Sequence, residues 1–275
     1  MIQMFQDDSS YNLKSNIKNE NYQIYSIWDY EYRDHLGISK IPIKGSCPIG
    51  IPLQCIIRFS KPDELILDPF CGSGTTLLAS AYLERYGLGV EINPVIFSIA
   101  KKNLEDGKSI PSLSDWIYKQ KLVNSDSLSL MKNFLNEDCV DLVFAHPPYW
   151  NLIDYSKYYS YIKDDISTEE NFNSFLNKID LMFQGIRKVL KKDRFACILI
   201  GDVFIQRGRS IPLDYYFTKI ALENDFDFYS KIIKVTRNAF SRKNRLKYWE
   251  KRSIEENLFI CIHDYLIIFQ NKKRG

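Results

Sequence analysis

The run Asp141-Leu-Val-Phe-Ala-His-Pro-Pro-Tyr-Trp150 is the most informative in the chain. Four apolar residues between an acid and a proline pair read as a strand covered on both faces, the kind that parallel sheets contain. Neither Pro147 nor Pro148 can donate a ladder hydrogen bond, so the strand stops there. Ligands of open α/β sheets bind beyond the carboxyl ends of the strands. This end would present the His146 imidazole, the Pro147 carbonyl and the Tyr149 ring in one small volume. Hydrogen-bond acceptors beside an aromatic face suit a planar ring that carries an amine.

Upstream, Glu64 to Asp68 reads as a strand, Pro69 to Thr76 as a loop of small residues, and Leu77 to Arg85 as a helix. A second strand spans Gly87 to Ile92, a helix runs from Pro94 to Leu104, and a weak third strand spans Lys121 to Asp126. Downstream, the apolar spacing predicts a long helix over Thr168 to Lys192, a strand over Arg194 to Asp202 and a helix over Pro212 to Asn224. Two closing strands follow near Phe228 to Val235 and Leu258 to Gln270. The alternation predicts an α/β fold with a doubly wound, mostly parallel sheet, the last pair of strands forming an antiparallel edge. Before the sheet, a short helix is expected over Pro52 to Phe59. Residues 1–45 read as an extension, poorly ordered at its polar start or contacting a partner, and 46–275 as one catalytic unit with a basic insert at about 236–257.

A strand ending in Asp68, a Gly72-x-Gly74 loop and a helix form a mononucleotide-binding layout, since glycines admit close backbone approach and a helix start offers free amides. No Gly-Lys-Ser/Thr follows, which sets a phosphate cradle aside. Glu91 ends the next strand, 19 residues after Gly72, where it can accept from two ribose hydroxyls. Asp126 ends the third strand and can accept from an adenine amine.

At 45% hydrophobic and 26% charged residues the chain is ordinary for a globular protein, and no apolar run is long enough for a membrane span. A cytoplasmic location is expected. Six scattered cysteines lack a Cys-x-x-Cys pair and have only three histidines to help them, so reduced thiols and no metal site are expected. The net charge of +3 is uneven: Lys231 to Arg252 holds nine Lys or Arg against one Glu. Such a stretch is either a solvated face or a surface for an anionic polymer.

Asp68-Pro-Phe-Cys-Gly-Ser-Gly-Thr-Thr76, Gly89-Val-Glu-Ile-Asn-Pro94, Asn124-Ser-Asp126 and His146-Pro-Pro-Tyr-Trp150 resemble the ordered motifs of S-adenosylmethionine-dependent DNA methyltransferases that modify exocyclic amines, making N6-methyladenine or N4-methylcytosine. The resemblance covers residues 45 to 270 and implies a Rossmann-like methyltransferase sheet with S-adenosyl-L-methionine as cofactor. It implies that Asp68 holds the methionine amino group and that the backbone of Phe70, Cys71, Gly72, Ser73 and Gly74 wraps the cofactor, with Thr75 beside it. By the same likeness Glu91 with Ile92 takes the ribose, Asp126 with Ser127 takes the adenine, and residues 47–53 close over the methionine end. His146, Pro147, Pro148 and Tyr149 become the catalytic set.

In that family the residue before the prolines is usually Asp, Asn or Ser. A neutral imidazole still offers one acceptor nitrogen, whereas a protonated one would donate and oppose the reaction. With an ordinary histidine pKa, activity is expected to fall between about pH 8 and 5.5. A pyrimidine-C5 mechanism would need a Pro-Cys nucleophile, which is absent. The target base must rotate out of the duplex. Trp150 and Tyr155, the Arg207 and Arg209 pair, and the basic Arg242, Lys243 and Arg245 are the expected contacts to double-stranded DNA. Little chain remains for reading bases, which leaves recognition to these inserts, to a homodimer or to a separate specificity or nuclease subunit of a restriction-modification system. The alternatives are an RNA guanine-N2 methyltransferase, a protein-amide methyltransferase and a catalytically silent DNA-positioning subunit.

Overall fold

A computed structural model of the protein describes residues 23–29, 45–113, 115–150, 162–205, 209–235 and 246–272. The amino-terminal half runs β1 (Ile27–Asp29), α1 (Gly50–Phe59), β2 (Leu65–Asp68), α2 (Thr75–Tyr82), β3 (Tyr86–Glu91), α3 (Pro94–Gly107), β4 (Gln120–Asn124), α4 (Ser127–Asn133) and β5 (Val140–Ala145). The rest runs α5 (Phe172–Val189), β6 (Leu190–Ile200), β7 (Val203–Phe204), β8 (Ser210–Ile211), α6 (Leu213–Glu223), β9 (Phe226–Val235), α7 (Leu246–Glu255) and β10 (His263–Asn271).

Eight strands form one sheet in the order β1-β9-β10-β6-β5-β2-β3-β4, while β7 and β8 make a separate hairpin. Strands β2 to β6 pair in parallel, and β10 runs antiparallel to both β6 and β9. The fold is therefore the expected doubly wound, mostly parallel sheet, with a correction to the placement of its antiparallel strand. β10 lies inside the sheet rather than at its rim. Its Leu266, Ile267, Ile268 and Phe269 are all buried, a run apolar on both faces that an edge position would leave half covered.

Each central strand serves two cores. In β5, Val143 and Ala145 face α5 and α6, while Leu142 and Phe144 face α1 and α2. At the base of the sheet the buried Asp141 carboxylate accepts from the Leu65 amide at 3.0 Å and pairs with Lys191 at 2.7 Å, fixing β5 against β2 and β6. Side-chain caps set where helices begin. Asn93 caps α3, Asp126 caps α4 and Asn171 caps α5, each accepting from two backbone amides of the first turn. The Asn171 cap explains why the long helix starts at Phe172 and not at Thr168; Ile166–Thr168 forms a 3-10 turn instead.

Besides the β7–β8 hairpin, three elements were not expected. β1 adds to the sheet beside β9 because the side chain of Trp28 is buried under it. α4 is short and serine-rich, and α7 is highly charged, so neither shows an apolar stripe.

Phe183 sits at the centre of the α5 core, its ring 6.2 Å from Phe217, 5.8 Å from Phe226 and 5.6 Å from Phe269. Replacing it with alanine is expected to cost about 3–5 kcal/mol. The measurement is urea unfolding, where the midpoint should fall with the slope unchanged.

Candidate active site

The loop from β2 to α2 turns on two left-handed glycines, Gly72 at φ 53° and Gly74 at φ 87°, a conformation that strains other residues. Glu91, at the tip of β3, accepts from the Gly72 amide through Oε2 at 3.0 Å and from the Asn93 amide through Oε1 at 2.9 Å. One carboxylate thus ties the glycine loop to the following turn. Asp68 accepts from the Phe70 amide at 2.9 Å, and Asn103 of α3 donates to the Ser73 carbonyl at 2.9 Å. The Cys71 thiol packs so closely on Gly89 that a Cβ there would lie 2.5 Å from the sulfur. This cysteine holds the loop down on β3.

A cleft of about 900 Å³, open mouth included, lies beyond the carboxyl ends of β2, β3, β4 and β5. Of the expected cofactor residues, Asp68, Phe70, Cys71, Gly72, Ser73, Thr75, Glu91, Ile92, Asp126 and Ser127 line it, and so do His146 and Pro148. Gly74, Pro147, Tyr149 and Trp150 lie outside the lining. The cleft also takes in Gly45, Ser46 and Cys47 before α1, and Asp164, Asp165 and Ile166 from the segment ahead of α5. Cys47 sits where the family likeness placed closure over the methionine end. The acids at 164 and 165 carried no sequence signal. Asp126 keeps a structural duty as well, since its two oxygens accept from the Leu128 and Ser129 amides at 3.1 Å each.

At the end of β5, His146 Nε2 lies 3.0 Å from the Tyr149 hydroxyl, with the rings edge to face. If Nε2 carries the hydrogen and donates to that oxygen, Nδ1 is left as the acceptor. Tyr149 is thereby the partner able to select the tautomer. Trp150, at φ 49°, donates through Nε1 to the Glu169 carbonyl at 2.7 Å and packs on Phe172. The Glu169 carboxylate pairs with Lys178 at 2.8 Å, and Lys178 donates to the Asp164 carbonyl at 3.1 Å. This relay links the motif to the strap that walls the cleft.

Burial dominates the electrostatics. It pushes the Asp68 carboxyl up to about 6 and that of Glu91 up to about 7, against the pull of their backbone hydrogen bonds. The nearby charges of Asp165 and Asp68 add to the rise at Glu91. Burial also pushes the His146 imidazole down to about 4. The expected loss of activity between pH 8 and 5.5 from this histidine is therefore corrected: a desolvated imidazole stays neutral through that range. All six cysteines are free thiols.

Arg209 is exposed just before β8 and is not among the residues that line the cleft. Tyr155, Arg207, Arg242, Lys243 and Arg245 fall outside the described residues. Within α7, Lys251 pairs with Glu255 at 3.6 Å, and Arg252 pairs with Glu256 while its guanidinium lies over Tyr248 and Trp249. The described part of the basic insert is thus largely self-neutralised. Among the described residues no group of three or more His, Cys, Asp or Glu is placed to hold a metal ion, and no helix is long and apolar enough to cross a membrane.

A family model described as DNA methylase matches residues 1–102 and 140–275. The chain belongs to the DNA methylase family. S-adenosyl-L-methionine is the cofactor, and the cleft of this DNA methylase fits it. Two buried carboxylates, each held above its ordinary pKa, match an ammonium and ribose hydroxyls, and Phe70, Ile92 and Ile166 offer apolar surface to a purine. The Type II methyltransferase M.HpaI of Haemophilus parainfluenzae is 28% identical over 80 residues, 29% of this chain and 26% of that protein. The match therefore spans about a quarter of that relative's length. A Methanothermococcus thermolithotrophicus protein named Probable tRNA (guanine(10)-N2)-dimethyltransferase is 26% identical over 163 residues, 58% of this chain and 82% of that one. A SAM-dependent methyltransferase of Methanosarcina mazei superposes with a TM-score of 0.53 at 13% identity, over 80% of this chain and 98% of that chain. At that identity the likeness concerns the fold alone.

The raised acids give cofactor binding a sign. The folded protein without cofactor keeps protons on Asp68 and Glu91 up to about 6 and about 7, whereas the unfolded chain loses them near the ordinary values of 3.8 and 4.5. Their contribution to stability is full at low pH and is lost as pH rises through that window. A cationic, hydroxyl-bearing ligand reverses the preference by favouring the charged carboxylates. Calorimetry should show cofactor affinity rising between pH 5.5 and 8 with proton release, and Asp68→Asn should flatten the rise; an affinity independent of pH would contradict the assignment.

Proposed function

We propose that the chain is an S-adenosyl-L-methionine-dependent methyltransferase acting on the exocyclic amine of adenine (N6) or cytosine (N4) in double-stranded DNA. The observation that carries this reading is the single cleft lined both by the Asp68–Gly74 loop with Glu91 and by the His146–Pro148 end of β5. Binding and chemistry then share one volume at the carboxyl edge of the sheet.

When bound, the cofactor supplies an electrophilic methyl group on sulfur. The chain's own residues prepare the amine. An exocyclic nitrogen is a poor nucleophile because its lone pair is delocalised into the ring. The Pro147 carbonyl and His146 Nδ1 would each accept one amine hydrogen, drawing the nitrogen toward tetrahedral geometry and freeing the lone pair for in-line attack; the methyl–sulfur bond would break as the methyl–nitrogen bond forms, and the surplus amine proton would leave to solvent. Tyr149 orients the imidazole through its hydroxyl and offers its ring to the base. The target base must leave the helix, at a cost on the order of a few kcal/mol in stacking and pairing. Trp150, Tyr155, Arg207, Arg209, Arg242, Lys243 and Arg245 are proposed to offset it through base and phosphate contacts.

In this reading residues 46–275 form the catalytic unit, and 1–45 an extension that contributes β1 to the sheet and contacts DNA. Sequence recognition is shared with a second copy or a separate specificity subunit. The 82% coverage of the tRNA guanine-N2 relative favours a second reading, in which the same cleft takes a guanine amine of RNA.

Incubation with cofactor and duplex DNA or tRNA, followed by mass spectrometry of the nucleosides, separates the two. N6-methyladenine or N4-methylcytosine is expected from the DNA arm, and N2-methylguanine from RNA alone would replace this reading with the second. For the imidazole, His146→Ala should lower the turnover rate by about 100-fold through loss of one acceptor. His146→Asn, which keeps an acceptor, should stay within about tenfold of the parent. Single-turnover rates at saturating cofactor and pH 7.5 measure both.

A further inference from the structure

Beneath the His146–Tyr149 couple lies an ion pair, its lysine buried and its aspartate half-buried, that the reaction scheme does not use. Lys234 of β9 and Asp264 of β10 are cross-strand partners, with Nζ 2.7 Å from Oδ2, and Lys234 is only 7% exposed. Gly201, just after β6, joins this pair to the motif. A Cβ on Gly201 would stand 2.5 Å from Asp264 Oδ1 and 2.7 Å from Tyr149 Cε2. The carboxylate and the tyrosine ring therefore converge over one bare Cα.

We propose that the Lys234–Asp264 pair is the positioning element of the catalytic couple: it seats the Tyr149 ring on Gly201 and sets the charge balance near the imidazole. Its catalytic meaning rests on the methyltransferase reading, while its electrostatic content can be tested without any substrate.

Replacing a buried ion pair by apolar residues of similar size is often neutral or stabilising, so stability alone is a weak account of a lysine in this position. The imidazole gives a better one. Asp264 favours its protonation and Lys234 opposes it, so the two charges act there in opposite directions. The same ammonium favours the thiolate of Cys47, a residue of the cleft wall. Tyr149 on its own segment touches His146, and the titratable groups that share the cleft with it are Cys47, Asp68, Glu91, Asp126, Asp164 and Asp165. Without Lys234, the Asp264 charge would stand uncompensated near the ring and raise the pH below which the amine acceptor becomes a donor.

The chain has three histidines, His35, His146 and His263, so the ring C–H resonances of the full-length protein can be titrated by NMR, with His146→Asn identifying the relevant signal. In Lys234→Met the His146 midpoint should move up by about one pH unit or more. Lys234→Gln, one atom shorter but still able to donate a hydrogen bond toward Asp264, should move it the same way if the methionine variant does not fold. Lys234→Met combined with Asp264→Asn should return it toward the parent. In methylation assays the single lysine variants should gain an acid limb that tracks the NMR midpoint, with KM for the cofactor unchanged. Folded lysine variants whose His146 midpoint stays at the parent value would overturn the proposal. If no nucleic acid is methylated but the midpoint moves as stated, the positioning role stands and the methyltransferase reading fails.

Discussion

Glu91 accepts from amides of two successive connections, the glycine loop after β2 and the turn into α3. Two strand ends are thereby fixed relative to one another by a single side chain that is itself buried. Hydrogen-bonded burial is tolerable for a carboxylate, but here it coexists with a second buried acid, Asp68, and with Asp165 nearby. The cleft is consequently tense before anything enters it. Its geometry is set in advance by backbone donors, and its charge calls for a ligand that brings cationic and hydroxyl groups.

Much of this was legible in the sequence because it depends on local constraints. A strand ended by two prolines, a glycine loop that must adopt left-handed dihedrals, and an acid at a strand tip announce themselves whatever surrounds them. What failed depended on tertiary context. β10 is apolar throughout, which marks a strand with neighbours on both sides, yet only the topology reveals which neighbours. His146 was assigned an ordinary titration because linear order carries no measure of desolvation. Asp164 and Asp165 reach the cleft from beyond a long connection, and no spacing rule links them to Glu91. The internal pairing of α7 is readable at i, i+4 spacing only when Glu255 and Glu256 are counted with the basic run that ends at Arg252.

The fold and the motifs carry different weights. A sheet of this order positions a ligand at its carboxyl edge for many chemistries, and the structural likeness at 13% identity speaks only to that scaffold. The narrower inference comes from the residues placed on that edge: the proline carbonyl, the imidazole oriented by a tyrosine hydroxyl, and a glycine that leaves room for the tyrosine ring. The Trp150, Glu169, Lys178 and Asp164 relay gives that edge mechanical continuity with the cofactor wall. A shift of the strap would be felt at the motif, and the reverse.

Helix α7 carries a last implication. Over residues 246–256 three cations face three anions. A surface balanced in this way displaces few condensed counterions when it meets a polyanion, and so adds little to the slope of log affinity against log salt. What it can offer a nucleic acid is reach and two aromatic planes, with Tyr248 and Trp249 already braced by a guanidinium. The ionic strength response of the whole protein then reports on cations elsewhere in the chain.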